Sequence, residues 1–140
     1  MKVFSLVAVF LFTATLCAQE VVYTGTPMVR LSGEPGAFSE ELLSAREADE
    51  YKMEISRQEG RYFWKSRENR ELRVSRSGVY VTLSCESGFI KLVDPMWNEA
   101  RGLYRDQPGE RFDYVEVMHT QLGLVVYWGR GRGSPFGSDL

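Results

Sequence analysis

Histidine occurs once in this sequence, at position 119, and cysteine twice, at positions 17 and 85. His119 and Cys85, the ones that lie beyond residue 18, cannot by themselves make a Cys- or His-rich zinc site. No EF-hand spacing supplies calcium ligands either, and no metal or cofactor is expected. Serines are plentiful, but none sits in a nucleophile-elbow motif. "GRGRG" at 129–133 follows a strand pattern yet precedes no helix, so it fails as a phosphate loop. Internal repeats and low-complexity blocks are absent.

Long hydrophobic runs are scarce too. The most apolar stretch, "VFSLVAVFLFTATLCA", runs from Val3 to Ala18 and is broken by Ser and Thr. A membrane span needs about 20 predominantly apolar residues. Lys2, then an apolar centre, then small residues is instead the order of a secretory signal peptide. The sequence therefore predicts removal of residues 1–18, with a cut after Cys17 as the alternative, and a secreted or periplasmic protein. No membrane span is expected in the remainder. Cleavage after Ala18 would leave Cys85 without a partner, so the fold must hold through its core.

Excess charge is also missing. Without residues 1–18 the chain keeps 16 basic and 19 acidic residues, a formal charge of −3. Such a value gives no global attraction to nucleic acid or anionic lipid. The remaining residues suffice for one domain. We divide the chain into a signal segment 1–18, a β-rich domain 19–128 and a flexible tail 129–140.

What the sequence has in abundance is alternation punctuated by turns. Tyr51, Met53 and Ile55 alternate with charged residues, Gly60 breaks the run, and Tyr62 and Trp64 share the next face. Leu72 to Val93 reads as a three-strand meander, with Val79, Val81, Leu83 and Cys85 on one apolar face. Phe112–His119 and Leu122–Trp128 read as a hairpin. Upstream, "VVYTG" and "MVRLSG" read as short strands, and "GEPGA" and "QPGE" as turns. "SEELLSAREADEY" is the one sizeable helical candidate, capped by Ser39. "DPMWNEARG" suits a single helical turn. The expected fold is a mainly β, compact antiparallel sandwich or small barrel of about seven to nine short strands, with room for one short helix. An α+β arrangement is the second choice. The expected core is Tyr51, Met53, Ile55, Trp64, Leu72, Val74, Val79, Val81, Leu83, Ile90, Leu92, Val115, Val117, Leu124 and Val126.

Two groups of residues carry the functional reading. In "RYFWKSRENRELRVSRSG" a face bearing Arg61, Phe63 and Lys65, extended by Arg67, Arg70 and Arg73, would suit an acidic protein partner. Stacking on nucleic acid is not favoured, because Glu68 and Glu71 interrupt the charges and no RNA-recognition signature is present. Charged residues on the wet side of two strands are the plainer account. Trp97, Tyr104, Tyr114, Tyr127 and Trp128 would suit the lining of an amphipathic ligand cavity, although aromatic residues also fill small β cores.

His119 is a candidate general base, as a lone histidine can be. On one strand it would lie roughly 20 Å from Asp113, and Glu116 would face the opposite way. Cys85, on an apolar face, reads as an inert buried thiol. No catalytic residue is assigned. The sequence thus points to an exported, non-catalytic module binding a protein or a small amphipathic ligand. The alternative is a small envelope-polymer hydrolase using carboxylates brought together by the fold.

Overall fold

The structure, a computed structural model, describes residues 18–34, 36–77, 80–93 and 112–133. The first seventeen residues of the expected signal segment lie outside them. So do Val79, the expected turns at 94–102 and 107–110, and tail residues 134–140.

Among the described residues, nine strands and one helix follow in order: β1 (Glu20–Glu34), β2 (Ala37–Leu42), α1 (Ala45–Glu50), β3 (Met53–Gln58), β4 (Arg61–Trp64), β5 (Arg70–Ser77), β6 (Tyr80–Cys85), β7 (Gly88–Val93), β8 (Tyr114–Thr120) and β9 (Gly123–Gly133). All pairings are antiparallel. From β3 to β9 each strand pairs with the next, and β1 pairs with both β3 and β9. The sheet therefore closes into an eight-stranded barrel, which removes its edges, and β2 is a ninth strand on the far half of β1. Of the two architectures expected from sequence, the barrel is the one formed.

Alternation sets the interior. Met53, Ile55, Trp64, Leu72, Val81, Leu83, Ile90, Leu92, Tyr23 and Tyr114 form one buried cluster inside the barrel. Each pairs in register with a residue that also faces inward, such as Ile55 with Trp64 and Leu83 with Ile90. A second buried cluster lies on the outer side of β1, β8 and β9: Val29, Leu31, Phe112, Val115, Val117, Val126 and Trp128. Val115, Val117 and Val126 are thus core residues, but not of the interior the alternation suggested. Leu124 packs partly against them. Val74, at 39% exposure, is not core. The β3–β4 turn at Glu59–Gly60 has positive φ at both residues, as a type I′ hairpin requires.

Three expectations are corrected. The two short upstream strands are one strand of fifteen residues, bulged between Pro27 and Val29 where its register against β9 shifts. The expected helix is half strand. Residues 37–42 pair with β1, and the helix starts only after Ser44. Ser44 accepts from the Glu47 amide while the Glu47 carboxylate accepts from the Ser44 amide, a reciprocal capping box that Ser39 has no way to form. Third, β9 continues through Gly133 into the segment expected to be tail. Its glycines are the reason. A Cβ on Gly131 would overlap the Tyr23 hydroxyl and one on Gly133 would overlap the Val22 carbonyl, so glycine lets this strand approach β1 closely.

Candidate functional site

One end of the barrel is formed by the β4–β5, β6–β7 and β8–β9 turns, and there the interior turns polar. Register brings Glu41, Arg30, Tyr127 and Glu116 side by side on β2, β1, β9 and β8, with Ile90 of β7 next in the row. Arg30 donates to Glu41 Oε1 from Nε at 2.9 Å and from a terminal nitrogen at 2.7 Å. It also lies 3.8 Å from Glu47 of α1 and 5.1 Å from the centre of the Tyr51 ring. Tyr51 stacks on Tyr127 at 5.5 Å. Arg30 therefore ties α1 and β2 to the barrel. Hydrogen bonds to Tyr127 and Glu41 hold its guanidinium in the charged form. Burial pushes the Tyr127 phenol up from its ordinary value, with Arg30 opposing.

Glu116 is the buried acid among the described residues. Its Oε2 accepts from Trp64 Nε1 at 2.7 Å, across the barrel. Its Oε1 has no hydrogen-bond partner among the described residues. Burial pushes its carboxyl up to about 7, against the opposing effects of the Arg67 charge and the Trp64 bond. The Arg67 Nε is likewise buried and without a hydrogen-bond partner among the described residues. The Tyr114 hydroxyl is a third such atom, deeper in the barrel, and burial raises its phenol well above the ordinary value.

A pocket of about 340 Å³ opens at this end, lined by Trp64, Ser66, Arg67, Glu68, Arg70, Ser87, Met118 and His119. Trp64 and Arg67 thus join the pocket to Glu116. Met118 faces inward two residues beyond Glu116, a step of roughly 7 Å along the strand. The turns are held in place by short contacts. Ser66 Oγ accepts from the Glu54 amide at 2.9 Å, and the His119 amide donates to the Ser87 carbonyl at 2.9 Å.

The six residues of the expected basic face are divided between two places. Arg61 lies on the outer wall, donating from Nε to Glu71 at 2.8 Å with its guanidinium 5.8 Å from the centre of the Phe63 ring. That ion pair lowers Glu71 and raises Arg61. Arg73 and Lys65 are exposed. Arg67 leaves this face because β4 ends at Trp64 and a turn follows, and Arg70 leaves it because on β5 it stands opposite Trp64, on the other side of the strand from Glu71 and Arg73. Arg70 pairs with Glu68 at 2.9 Å on the pocket rim, and Arg67 folds inward.

The five expected cavity aromatics do not line one space either. Tyr114 and Tyr127 face the interior, whereas Trp128 packs on Phe112 at 5.3 Å in the outer cluster. Neighbours on a strand face opposite ways. Trp97 and Tyr104 lie outside the described residues. His119 is exposed at the rim, and Asp113 accepts from the Gly131 amide at 2.9 Å instead.

Glu116 was missed as a site residue. A signal was present: Tyr114, Val115, Val117 and Met118 are apolar on both faces of β8, and Glu116 is the one charge among them. A strand apolar on both sides is buried on both, so its lone acid must be buried as well.

Fold and site together define a small closed β-barrel with a buried acid beneath a polar mouth. Compared with protein-family models, curated proteins and solved structures, the chain gives no match.

Proposed function

We propose that this protein is a small exported binding module that takes a compact amphipathic ligand at the polar end of its barrel. One observation carries the reading. Glu116 Oε1 and Arg67 Nε are buried without hydrogen bonds among the described residues, next to a pocket that Arg67 itself lines. Leaving a buried polar atom unpaired costs about 1–3 kcal/mol, and ligand groups are one way such atoms are satisfied. The mouth of a β-barrel is a recurrent place for small-molecule sites.

Capture of an acidic protein by the outer basic face is less well supported, because Arg61 is already engaged by Glu71. A glycosidase-type hydrolase would need a second carboxylate facing Glu116 across a cleft. Glu68, the acid on the pocket lining, is exposed and bonded to Arg70.

Amide-resolved NMR titration with a fragment set tests the site. Ligand-induced shifts should centre on Ser66–Glu68, Ser87 and Met118–His119. Shifts centred on Arg61, Phe63 and Arg73 would move the site to the outer wall, and no binder at all would remove the reading. Export has its own check. The intact mass of the protein from its native host should correspond to a chain starting at Gln19, and a mass that includes Met1 or Lys2 would refute cleavage.

A further inference from the structure

The chemistry around this pocket also specifies a class of ligand. Two of its lining residues are cations, Arg67 and Arg70, against one acid, Glu68. Arg70 and Glu68 bond to each other, through the Arg70 Nε at 3.2 Å and a terminal nitrogen at 2.9 Å. That leaves Arg67 as the inner cation, with an N–H that has no acceptor among the described residues. A guanidinium in that position suits a planar anion, and a carboxylate matches its fork of donors. Met118 and the edge of Trp64 offer apolar contact for the rest of the molecule.

An anion arriving here would share Arg67 with Glu116, on which the Arg67 charge already acts. Among the described residues, the groups facing Glu116 are few. Trp64 of β4 bonds to Oε2, and Arg67 projects from the following turn. Tyr127 of β9 and Ile90 of β7 are its neighbours in register, and Leu83 and Cys85 of β6 lie beyond. Tyr114 precedes it on β8. Arg30 lies past Tyr127 and is engaged by Glu41 and Glu47. Arg67 is therefore the one nearby cation not committed to an acid among the described residues, and two carboxylates would have to share it. Like charges in a buried site disfavour joint ionisation. Protonated Glu116 removes the conflict: Oε2 still accepts from Trp64, while Oε1 gains an O–H and becomes a donor.

We infer that this pocket takes a small organic carboxylate and that Glu116 takes up one proton from solvent as the ligand binds. The inference rests on the pocket being a ligand site, as proposed above. Burial already holds the Glu116 carboxyl at about 7, so the uptake falls in a measurable range.

Benzoate is a suitable probe, with benzylamine and benzamide as cationic and neutral counterparts of similar shape. Calorimetry at pH 6 and pH 8 should give saturable benzoate binding at pH 6, about tenfold weaker at pH 8, the ratio for one coupled proton near pH 7. Repeating the pH 8 titration in buffers of different ionisation heat should show close to one proton taken up. Glu116→Gln, which mimics the protonated acid, should bind benzoate with nearly equal affinity at both pH values. Arg67→Gln should lose binding while keeping a cooperative thermal transition, and Arg67→Lys should recover part of it. His119 lines the same pocket, so His119→Gln is the control. The tenfold ratio should survive that change, whatever happens to the affinity itself. Equal benzoate binding at both pH values in the unmodified protein would overturn the proton uptake, as would an undiminished ratio in Glu116→Gln. Preference for benzylamine or benzamide would overturn the carboxylate while leaving the pocket a ligand site. No saturable binding by any of the three would remove both.

Discussion

Gly129→Ala should cost this protein about 3 kcal/mol or more of folding stability, through one added methyl group. A Cβ at this position would lie 2.1 Å from the Thr26 carbonyl oxygen and 2.7 Å from Pro27 Cα. Both are backbone atoms of β1, so no side chain can rotate away. Gly129 stands opposite Pro27, beside the bulge that shifts the β1–β9 register. This pairing closes the barrel, and opening it would expose edges on both strands. Chemical denaturation should show a large drop in midpoint, or no cooperative transition. Gly60→Asn provides the comparison. Gly60 has φ +75°, which asparagine tolerates, and nothing lies within 4 Å of its would-be Cβ. Its midpoint should barely move. Equal midpoints for Gly129→Ala and the unmodified protein would mean that β1 and β9 do not approach as described.

Glu116→Gln should reverse the usual expectation for losing a charge: at pH 8 the variant should be more stable than the unmodified protein. Burial raises the folded-state carboxyl from 4.5 to about 7. Between those values the folded chain holds a proton that the unfolded chain has released, so stability falls as pH rises. The loss begins near pH 4.5, is complete a little above pH 7, and amounts to about 3 kcal/mol at 1.36 kcal/mol per unit. Glutamine keeps an oxygen for the Trp64 N–H and has nothing to ionise. Urea midpoints between pH 5 and pH 8 should decline in the unmodified protein and stay much flatter in the variant. Parallel curves would place Glu116 in contact with water.

Much of the fold was legible. The meander β5–β7 and the β8–β9 hairpin follow from alternation and from turn residues, because period-two patterning and local turn chemistry involve only near neighbours. The helix was placed too early because Glu40, Glu41, Leu42 and Leu43 suit a helix by propensity. Pairing with β1 overrides it, as tertiary context does for short segments. The candidate site was harder to read. Arg67 looked like the continuation of a basic strand face, and only the turn after Trp64 sends it inward.

By itself the sequence determined that this is a β-rich chain and, within the meander and the last hairpin, which residues share a strand face. The tertiary structure alone decided that the sheet closes, that both faces of β8 are buried, and that Glu116 meets Trp64 from across the barrel, 52 positions away in sequence. The division has a physical cause. Alternation records which side of a strand a residue occupies, but not what stands opposite. That depends on register across β1 and β9, strands at opposite ends of the domain. Where register places an acid inside a closed barrel, burial rather than local sequence sets its charge.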